Sequence, residues 1–138
     1  KLELVTAVGK KDWLKYGVHM LEAIVATLDD PAISSVQHIG EKGKDVVHIV
    51  FENGLPVTIH LFMDITGTFQ LSFFGRQAWR MAEIKNSYSM FRDNIIEFVR
   101  SVEEKVPRLE FSKTKNIIQA VIAAEESRLA GGKIIQLK

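Results

Sequence analysis

The sequence has 138 residues, of which 46% are hydrophobic and 25% charged, so it is long enough for one domain with a single core. Its 18 basic and 17 acidic side chains nearly cancel, which excludes the strong global field typical of proteins that bind nucleic acid or anionic membranes. It contains no cysteine, and hence no disulfide or thiolate metal site, as is usual in a reducing compartment. Because it has no apolar run of about 18 residues and no signal-peptide pattern, we expect a cytoplasmic protein that forms a single domain over 1–138.

The first predicted elements are a strand and a helix. Leu2–Val8 alternates its side chains in the manner of a strand and is followed by Gly9. A helix is predicted over Asp12–Leu28, with Asp12 as its N-cap and its end before Pro31. Apolar side chains recur every three or four residues along it and predict one buried stripe, made of Leu14, Val18, Leu21, Val25 and Leu28.

A run of strands follows this helix. Ile33–Ile39 and Val46–Phe51 are predicted strands joined by a glycine-rich turn. The dipeptide Asn53-Gly54 then predicts a two-residue hairpin turn into the next strand, because both positions of such a turn favour positive φ. Phe69–Phe74 and Ala78–Lys85 add two strands of similar mixed character.

The predicted hairpin turn decides which side chains share a face of the sheet. A two-residue loop places Glu52 opposite Leu55. The two faces are then Val46, His48, Val50, Val57, Ile59, Leu61 and Met63 on one side, and Val47, Ile49, Phe51, Thr58, His60 and Phe62 on the other. Both faces are too apolar for water, so we expect helices on one and a second copy of the sheet on the other.

The last third of the chain is predicted to be helical. A helical stripe runs from Ser87 to Glu104 and ends before Pro107. Ser112 is the predicted cap of a long helix that Gly131-Gly132 stops, and Lys133–Leu137 is the last strand. The order of elements predicts an α+β two-layer domain: a largely antiparallel open mixed sheet of about six to seven strands with three helices on one face.

Several signatures of catalytic and cofactor sites are absent from the sequence. It has no glycine-rich dinucleotide turn, no phosphate loop and no zinc-protease helix, so we expect no cofactor and no metal to be bound by these residues. His48 and His60 are predicted on opposite faces and hence cannot share a metal, and His38 is expected to be solvated. His19, on the flank of the first helix, is the best candidate for proton transfer.

Four neighbours of His19 complete the candidate site. Lys15 is either a solvated lysine or, in an enclosed site, a proton donor or a stabiliser of a developing alkoxide. Tyr16 has an aromatic ring that can stack on a sugar-like ring, although aromatics at helical spacing are more often part of a core. Asp12 and Glu22 are carboxylates that more commonly serve as a cap and a solvated helix residue.

Three segments together resemble the C-terminal domain of the Gfo/Idh/MocA oxidoreductases, which include glucose-fructose oxidoreductase and inositol dehydrogenase. Gly17–Glu22 is similar to the helix motif of that family in which a glycine, a branched apolar residue and a histidine precede an acidic residue. Met90–Phe98 resembles its next helix, and Ala120–Ser127 followed by Gly131–Ile135 is like its closing helix and glycine-ended last strand. The three segments occur in the expected order over nearly the whole chain.

This resemblance implies a substrate-binding and dimerisation domain. It implies an N-terminal Rossmann domain, absent from these residues, which would hold NAD or NADP, and an open sheet face that pairs with another copy in a homodimer or a dimer of dimers. His19 matches the histidine that is implied to contact the substrate hydroxyl. The sequence departs from the pattern at Lys15, where the family has aspartate.

We therefore expect the C-terminal domain of an NAD(P)-dependent oxidoreductase that acts on a sugar or polyol-like alcohol and is inactive without its Rossmann domain. Lys15 and His19 are the predicted catalytic residues, with Asp12, Tyr16 and Glu22 toward the substrate. The alternative is a non-catalytic module that dimerises through its sheet or binds a small ligand. Neither hypothesis includes nucleic acid or a membrane as a partner.

Overall fold

A computed structural model describes residues 1–29, 31–108 and 110–137. Its elements, in chain order, are β1 (Leu2–Lys10), α1 (Trp13–Thr27), β2 (Ile33–His38), β3 (Lys44–Phe51), β4 (Pro56–Phe62), β5 (Phe69–Gly75), β6 (Trp79–Glu83), α2 (Ser87–Glu104), α3 (Phe111–Leu129) and β7 (Ile135–Gln136). The described residues include no helix that is both long enough and apolar enough to span a bilayer.

The seven strands form one sheet in the order β6-β5-β1-β4-β3-β2-β7. β1 and β4 are parallel, and every other neighbouring pair is antiparallel. α1 and α3 pack on one face of this sheet and on each other. The predicted α+β class, with three helices and a largely antiparallel mixed sheet, is confirmed, and α1 and α3 are the helices with extensive contacts on that face.

The buried side of α1 differs from the predicted stripe. Leu14 is 59% exposed, whereas Trp13, Met20 and Ile24 are buried together with Leu21 and Val25 of the predicted set. The helix is turned toward Trp13 because the indole Nε1 of this residue donates a hydrogen bond of 3.0 Å to the carbonyl oxygen of Val121 on α3. Gly17 makes room for the indole, since a Cβ there would lie 2.8 Å from a ring carbon.

Asp12 caps α1 as predicted. Its backbone is extended, with φ −88° and ψ 160°, and its carboxylate accepts a hydrogen bond of 3.2 Å from the backbone N–H of Lys15. A second carboxylate, that of Asp45 on β3, accepts a hydrogen bond of 3.0 Å from the backbone N–H of Trp13. Two of the backbone donors at the start of the helix are thus satisfied by carboxylates, which also complement the positive end of the helix dipole.

The predicted register of the β3–β4 hairpin is wrong by one residue. Phe51 N–H donates to the carbonyl of Leu55 and Gly54 N–H to that of Phe51, so the loop contains three residues. Gly54 alone takes a positive φ, of 81°, as in a type I turn closed by a left-handed glycine. Because side chains alternate along a strand, the shift by one residue exchanges the faces of β4 relative to β3.

The corrected register puts His48 and His60 on the same face of the sheet. Val46 pairs with His60, and His48 pairs with Thr58, so the two imidazoles are diagonal neighbours on adjacent strands. They lie on the face opposite to α1 and α3, which also carries Thr6 and Val8 of β1. We call this surface the open face.

Three smaller predictions are also corrected. Ser112 lies within α3, which begins at Phe111 without a side-chain cap. Gly9 does not end β1, since the strand continues to Lys10. His38 is buried, not solvated. The predicted stop of α3 is confirmed, because Gly131 and Gly132 take positive φ values of 70° and 87°.

α2 differs from the other two helices in its surroundings. Its bounds match the predicted ones. One side of it carries large apolar side chains that are all exposed: Tyr88, Phe91, Ile95, Phe98, Val99 and Val102. The opposite side carries charged residues joined in ion pairs, for example Arg100 with Glu97 at 2.7 Å. We call the exposed apolar side the α2 stripe.

Candidate functional site

The candidate histidine lies on the solvent-facing flank of α1. Lys15, His19 and Glu22 are spaced four and three residues apart, so they occupy one side of the helix. The side chain of His19 is 53% exposed, and its Nδ1 lies 3.5 Å from a carboxylate oxygen of Glu22. Its Nε2 makes no hydrogen bond to the described part of the chain.

Tyr16 connects His19 to a cleft in the surface. The ring centroids of Tyr16 and His19 are 5.2 Å apart in an edge-to-face arrangement. On its other side Tyr16 meets Phe69 of β5, at 6.1 Å between centroids. Two edge contacts therefore hold the phenol ring of this partly buried residue between the histidine and the sheet.

The cleft has a volume of about 530 Å³ and is built from four separate stretches of chain. Lys10 and Lys11 lie at the end of β1, Tyr16 on α1, Thr68 before β5, and Lys85 just after β6. Glu83 also lines it. We call this cavity the lysine cleft.

The carboxylate of Asp12 and the amine of Lys15 are engaged with each other. The Lys15 Nζ lies 3.7 Å from Asp12 Oδ2, and the Lys15 side chain is 77% exposed. Asp12 already accepts a backbone hydrogen bond as the N-cap, so its carboxylate is held at the helix start. The structure thus brings Tyr16, His19 and Glu22 into one contact group and leaves Asp12 and Lys15 as a neighbouring pair.

Sequence reasoning missed most of the lysine cleft. Lys10 and Lys11 stand out in the sequence as a charged pair after a strand, but nothing local connects them to Thr68 or Lys85. It also missed a buried group in which His38 and Asp45 lie 2.8 Å apart. Both of these side chains are closed to solvent, so that pair belongs to the core and not to a site for substrate.

Solved structures show which known proteins share this fold. The chain matches GenD2 from gentamicin A biosynthesis, solved in complex with NAD, over 100% of its own length and 56% of that chain, with a TM-score of 0.82 and 14% identity. It matches a myo-inositol dehydrogenase from Corynebacterium glutamicum over 100% of its length and 57% of that chain, with a TM-score of 0.79 and 12% identity. This chain has the fold of a Gfo/Idh/MocA C-terminal domain.

A third structure with this Gfo/Idh/MocA fold is a myo-inositol dehydrogenase from Lactobacillus casei, solved with NAD(H) and myo-inositol. The match covers 99% of this chain and 54% of that one, with a TM-score of 0.74 and 11% identity. This chain therefore spans a little over half the length of the structures it resembles. In sequence alone, no family model and no curated protein matches it.

Proposed function

We propose that this chain is the substrate-binding and dimerisation domain of an NAD(P)-dependent oxidoreductase that acts on a sugar or polyol-like alcohol. The observation that carries the proposal is a half-exposed His19 beside an aromatic-lined cleft, on a fold shared with dehydrogenases solved with NAD and with myo-inositol. The proposal places the protein in the cytoplasm, which agrees with its cysteine-free sequence.

We assign no dinucleotide site to the residues of this chain. The sequence has no glycine-rich strand-to-helix turn whose backbone N–H groups could hold a pyrophosphate. We therefore assign the nicotinamide, which supplies the hydride acceptor when bound, to an N-terminal Rossmann domain outside these 138 residues. The 138-residue chain alone is expected to be inactive.

His19 is the proposed acceptor of the proton from the substrate hydroxyl. Nδ1 faces Glu22, which orients the imidazole and leaves Nε2 toward the substrate. Lys15 lies one turn away on the same flank, and once a Rossmann domain encloses this exposed side chain its positive charge would stabilise negative charge on the substrate oxygen. Tyr16, between His19 and the cleft, offers a ring for the substrate to stack on. Asp12 acts indirectly, by holding the start of α1 and pairing with Lys15.

The open face is the proposed dimer interface. A polar row crosses it, in which Thr6 pairs with Thr58 and Thr58 with His48. In the row beside it, Val8 and Val46 flank His60. Within the described residues α1 and α3 pack on the opposite face, and an uncovered sheet face suits a two-fold partner with the same surface.

The α2 stripe is the proposed contact with the Rossmann domain. It exposes large side chains such as Phe91 and Phe98, which are 70% and 65% exposed. Monomeric proteins rarely leave contiguous apolar patches of this kind in water. The structures that share this fold have chains almost twice as long, so the remainder of such a chain is large enough to form a domain that covers the α2 stripe.

The test uses the complete protein with its nucleotide-binding domain. We expect His19→Ala to lower kcat for NAD(P)-dependent oxidation of a polyol such as myo-inositol by about 10²- to 10⁴-fold, the usual contribution of a positioned acid or base. Glu126→Ala, an exposed residue of α3, is the matched control and should keep full activity. Turnover unchanged by His19→Ala would contradict the assignment, and turnover absent in the parent itself would favour the non-catalytic alternative.

A further inference from the structure

We propose that the lysine cleft binds an anionic group, so that the substrate is a polyol that carries a carboxylate or a phosphate. The inference rests on the proposed function, since it names the class of alcohol that His19 would act on. It starts from the lining of the cleft, in which three lysines and one glutamate converge from separate stretches of the chain: Lys10, Lys11, Lys85 and Glu83.

The charges in the cleft are not balanced. The Nζ of Lys85 lies 3.0 Å from a carboxylate oxygen of Glu83, so that pair is neutral. Lys10 and Lys11 form no ion pair with any described acidic residue. The whole chain carries a formal charge of only +1, whereas the lining of the cleft has three lysines against one glutamate and is locally positive.

The backbone holds both lysines in place. Lys10 N–H donates to the carbonyl of Thr68 at 3.3 Å, and Lys11 N–H donates to that of Phe62 at 3.2 Å. Lys11 has a φ of 150°, a region that side chains other than glycine rarely adopt. Such strain costs about 1–3 kcal/mol and clusters at active sites, ligand clamps and switch regions.

The remaining lining suits the uncharged part of a polyol. The hydroxyl oxygen of Thr68 is buried and has no hydrogen-bond partner in the described ranges. Tyr16 lines the same cleft and contacts His19, with 5.2 Å between ring centroids. Tyr16 therefore joins the cleft to His19, which does not itself line it, and a polyol held in the cleft by its anionic end would meet this ring on the way to the imidazole. An anionic group would gain a charge-assisted hydrogen bond from each of the two exposed lysines, which a neutral sugar cannot.

The experiment is a titration of the 138-residue chain, followed by the amide resonances of its backbone in NMR spectra. The probes are glucuronate, glucose 6-phosphate, glucose and inorganic phosphate. We expect saturable shifts at Lys10, Lys11, Thr68 and Lys85 with the two charged sugars, weaker ones with inorganic phosphate, and none with glucose. Comparing glucuronate with glucose 6-phosphate shows whether the anion is a carboxylate or a phosphate.

Charge-neutralising variants complete the test. Lys10→Gln/Lys11→Gln should weaken binding of the better charged sugar by at least about tenfold, since a charge-assisted hydrogen bond is lost at each position. Lys105→Gln/Lys133→Gln removes two exposed lysines that do not line the cleft, and should leave the affinity unchanged. The inference is overturned if glucose binds as well as the charged sugars, if no probe shows saturable shifts, or if the control pair weakens binding equally.

The two proposals fail in different experiments. If the complete protein oxidises a neutral polyol through His19 and the cleft binds no anion, the anionic substrate is wrong and the proposed function stands. If the cleft binds charged sugars while His19→Ala keeps full turnover, the role of His19 is wrong and the binding site stands.

Discussion

The carboxylate of Asp45 links the imidazole of His38 to the first residue of α1. One of its oxygens lies 2.8 Å from Nε2 of His38, and the other accepts the backbone N–H of Trp13 at 3.0 Å. The side chains of His38 and Asp45 are only 1% and 4% exposed. The helix that carries the candidate site is thus attached to the sheet by a buried polar group in addition to its apolar packing.

Removal of that carboxylate is expected to be costly. Asp45→Ala leaves a buried imidazole and a backbone N–H without partners, and we expect the free energy of unfolding to fall by about 2–4 kcal/mol. The measurement is urea denaturation followed by circular dichroism. Asp64→Ala, at an exposed position in the β4–β5 connection, is the control and should stay within about 0.5 kcal/mol. Equal midpoints for the two variants would show that the buried pair contributes nothing.

A second prediction concerns Gly40, in the turn before β3. A Cβ at this position would lie 2.1 Å from the carbonyl oxygen of Lys44 and 2.8 Å from the backbone nitrogen of Val46. Because both neighbours are backbone atoms, Gly40→Ala should lower the free energy of unfolding by about 1–3 kcal/mol or more. Gly67→Ala, where a Cβ meets no atom within 4 Å, is the control and should have little effect when both variants are measured by thermal denaturation. A tolerated Gly40→Ala would contradict the observed turn.

Glu125 and Arg128 on α3 lead to a prediction about pH. A side-chain hydrogen bond from Arg128 lowers the pKa of Glu125 below its ordinary value of 4.5, with further lowering by positive charge on Arg128, His38 and Lys42 and partial opposition from burial. Because the pKa of Glu125 is lower in the folded protein than in the unfolded chain, the ionised carboxylate stabilises the folded protein at pH values above the ordinary pKa of 4.5. This contribution is lost as the pH falls through the lowered value.

We therefore expect Glu125→Gln to cost about 0.5–1 kcal/mol at pH 7, the scale for a partly exposed ion pair. The difference from the parent should shrink progressively below pH 4.5 in urea titrations at several pH values. Glu126→Gln, the exposed neighbouring residue, should show no such trend. A Glu125→Gln effect that stays constant down to pH 3 would rule out the pair as its source.

The proposed dimer is tested at the centre of the open face. Thr58 lies between Thr6 and His48, so Thr58→Arg would place a charge in the middle of a sheet-to-sheet interface. We expect the parent chain to be a dimer by light scattering and Thr58→Arg to be a monomer with the same helical content. Thr27→Arg, on the exposed end of α1, should remain dimeric. A monomeric parent at high concentration would leave this interface without support.

The α2 stripe gives a prediction that differs between the isolated chain and the complete protein. Phe91→Ser/Phe98→Ser should change the stability of the 138-residue chain by less than about 0.5 kcal/mol, since both rings are mostly exposed. Phe51→Ser, at a residue that is 1% exposed, should cost about 3–5 kcal/mol in the same chain.

In the complete protein the double variant should instead lower the melting temperature by several degrees, because both rings would be covered by the Rossmann domain. The same melting temperature with and without the double change would show that α2 faces solvent or another partner there.

Sequence patterns predicted those features that depend on neighbouring residues. The bounds of α2, the cap formed by Asp12 and the glycine stop of α3 follow from side chains within one or two turns of each other. The α+β class follows from the order of such segments. The buried side of α1 could not be predicted from local sequence, because Trp13 faces the core through a hydrogen bond to Val121, 108 positions away.

The sequence by itself therefore determined the helices, the strands and the position of His19 on a helix flank. Only the tertiary structure decided that Lys10, Thr68 and Lys85 line one cleft, that His38 meets Asp45, and that His48 and His60 share a face. Helix caps and turns are made by atoms close along the chain, whereas strand pairing and cleft lining join atoms brought together when the core excludes water. A single conformational choice, such as the left-handed Gly54 that closes a three-residue loop, is enough to exchange the two faces of a strand.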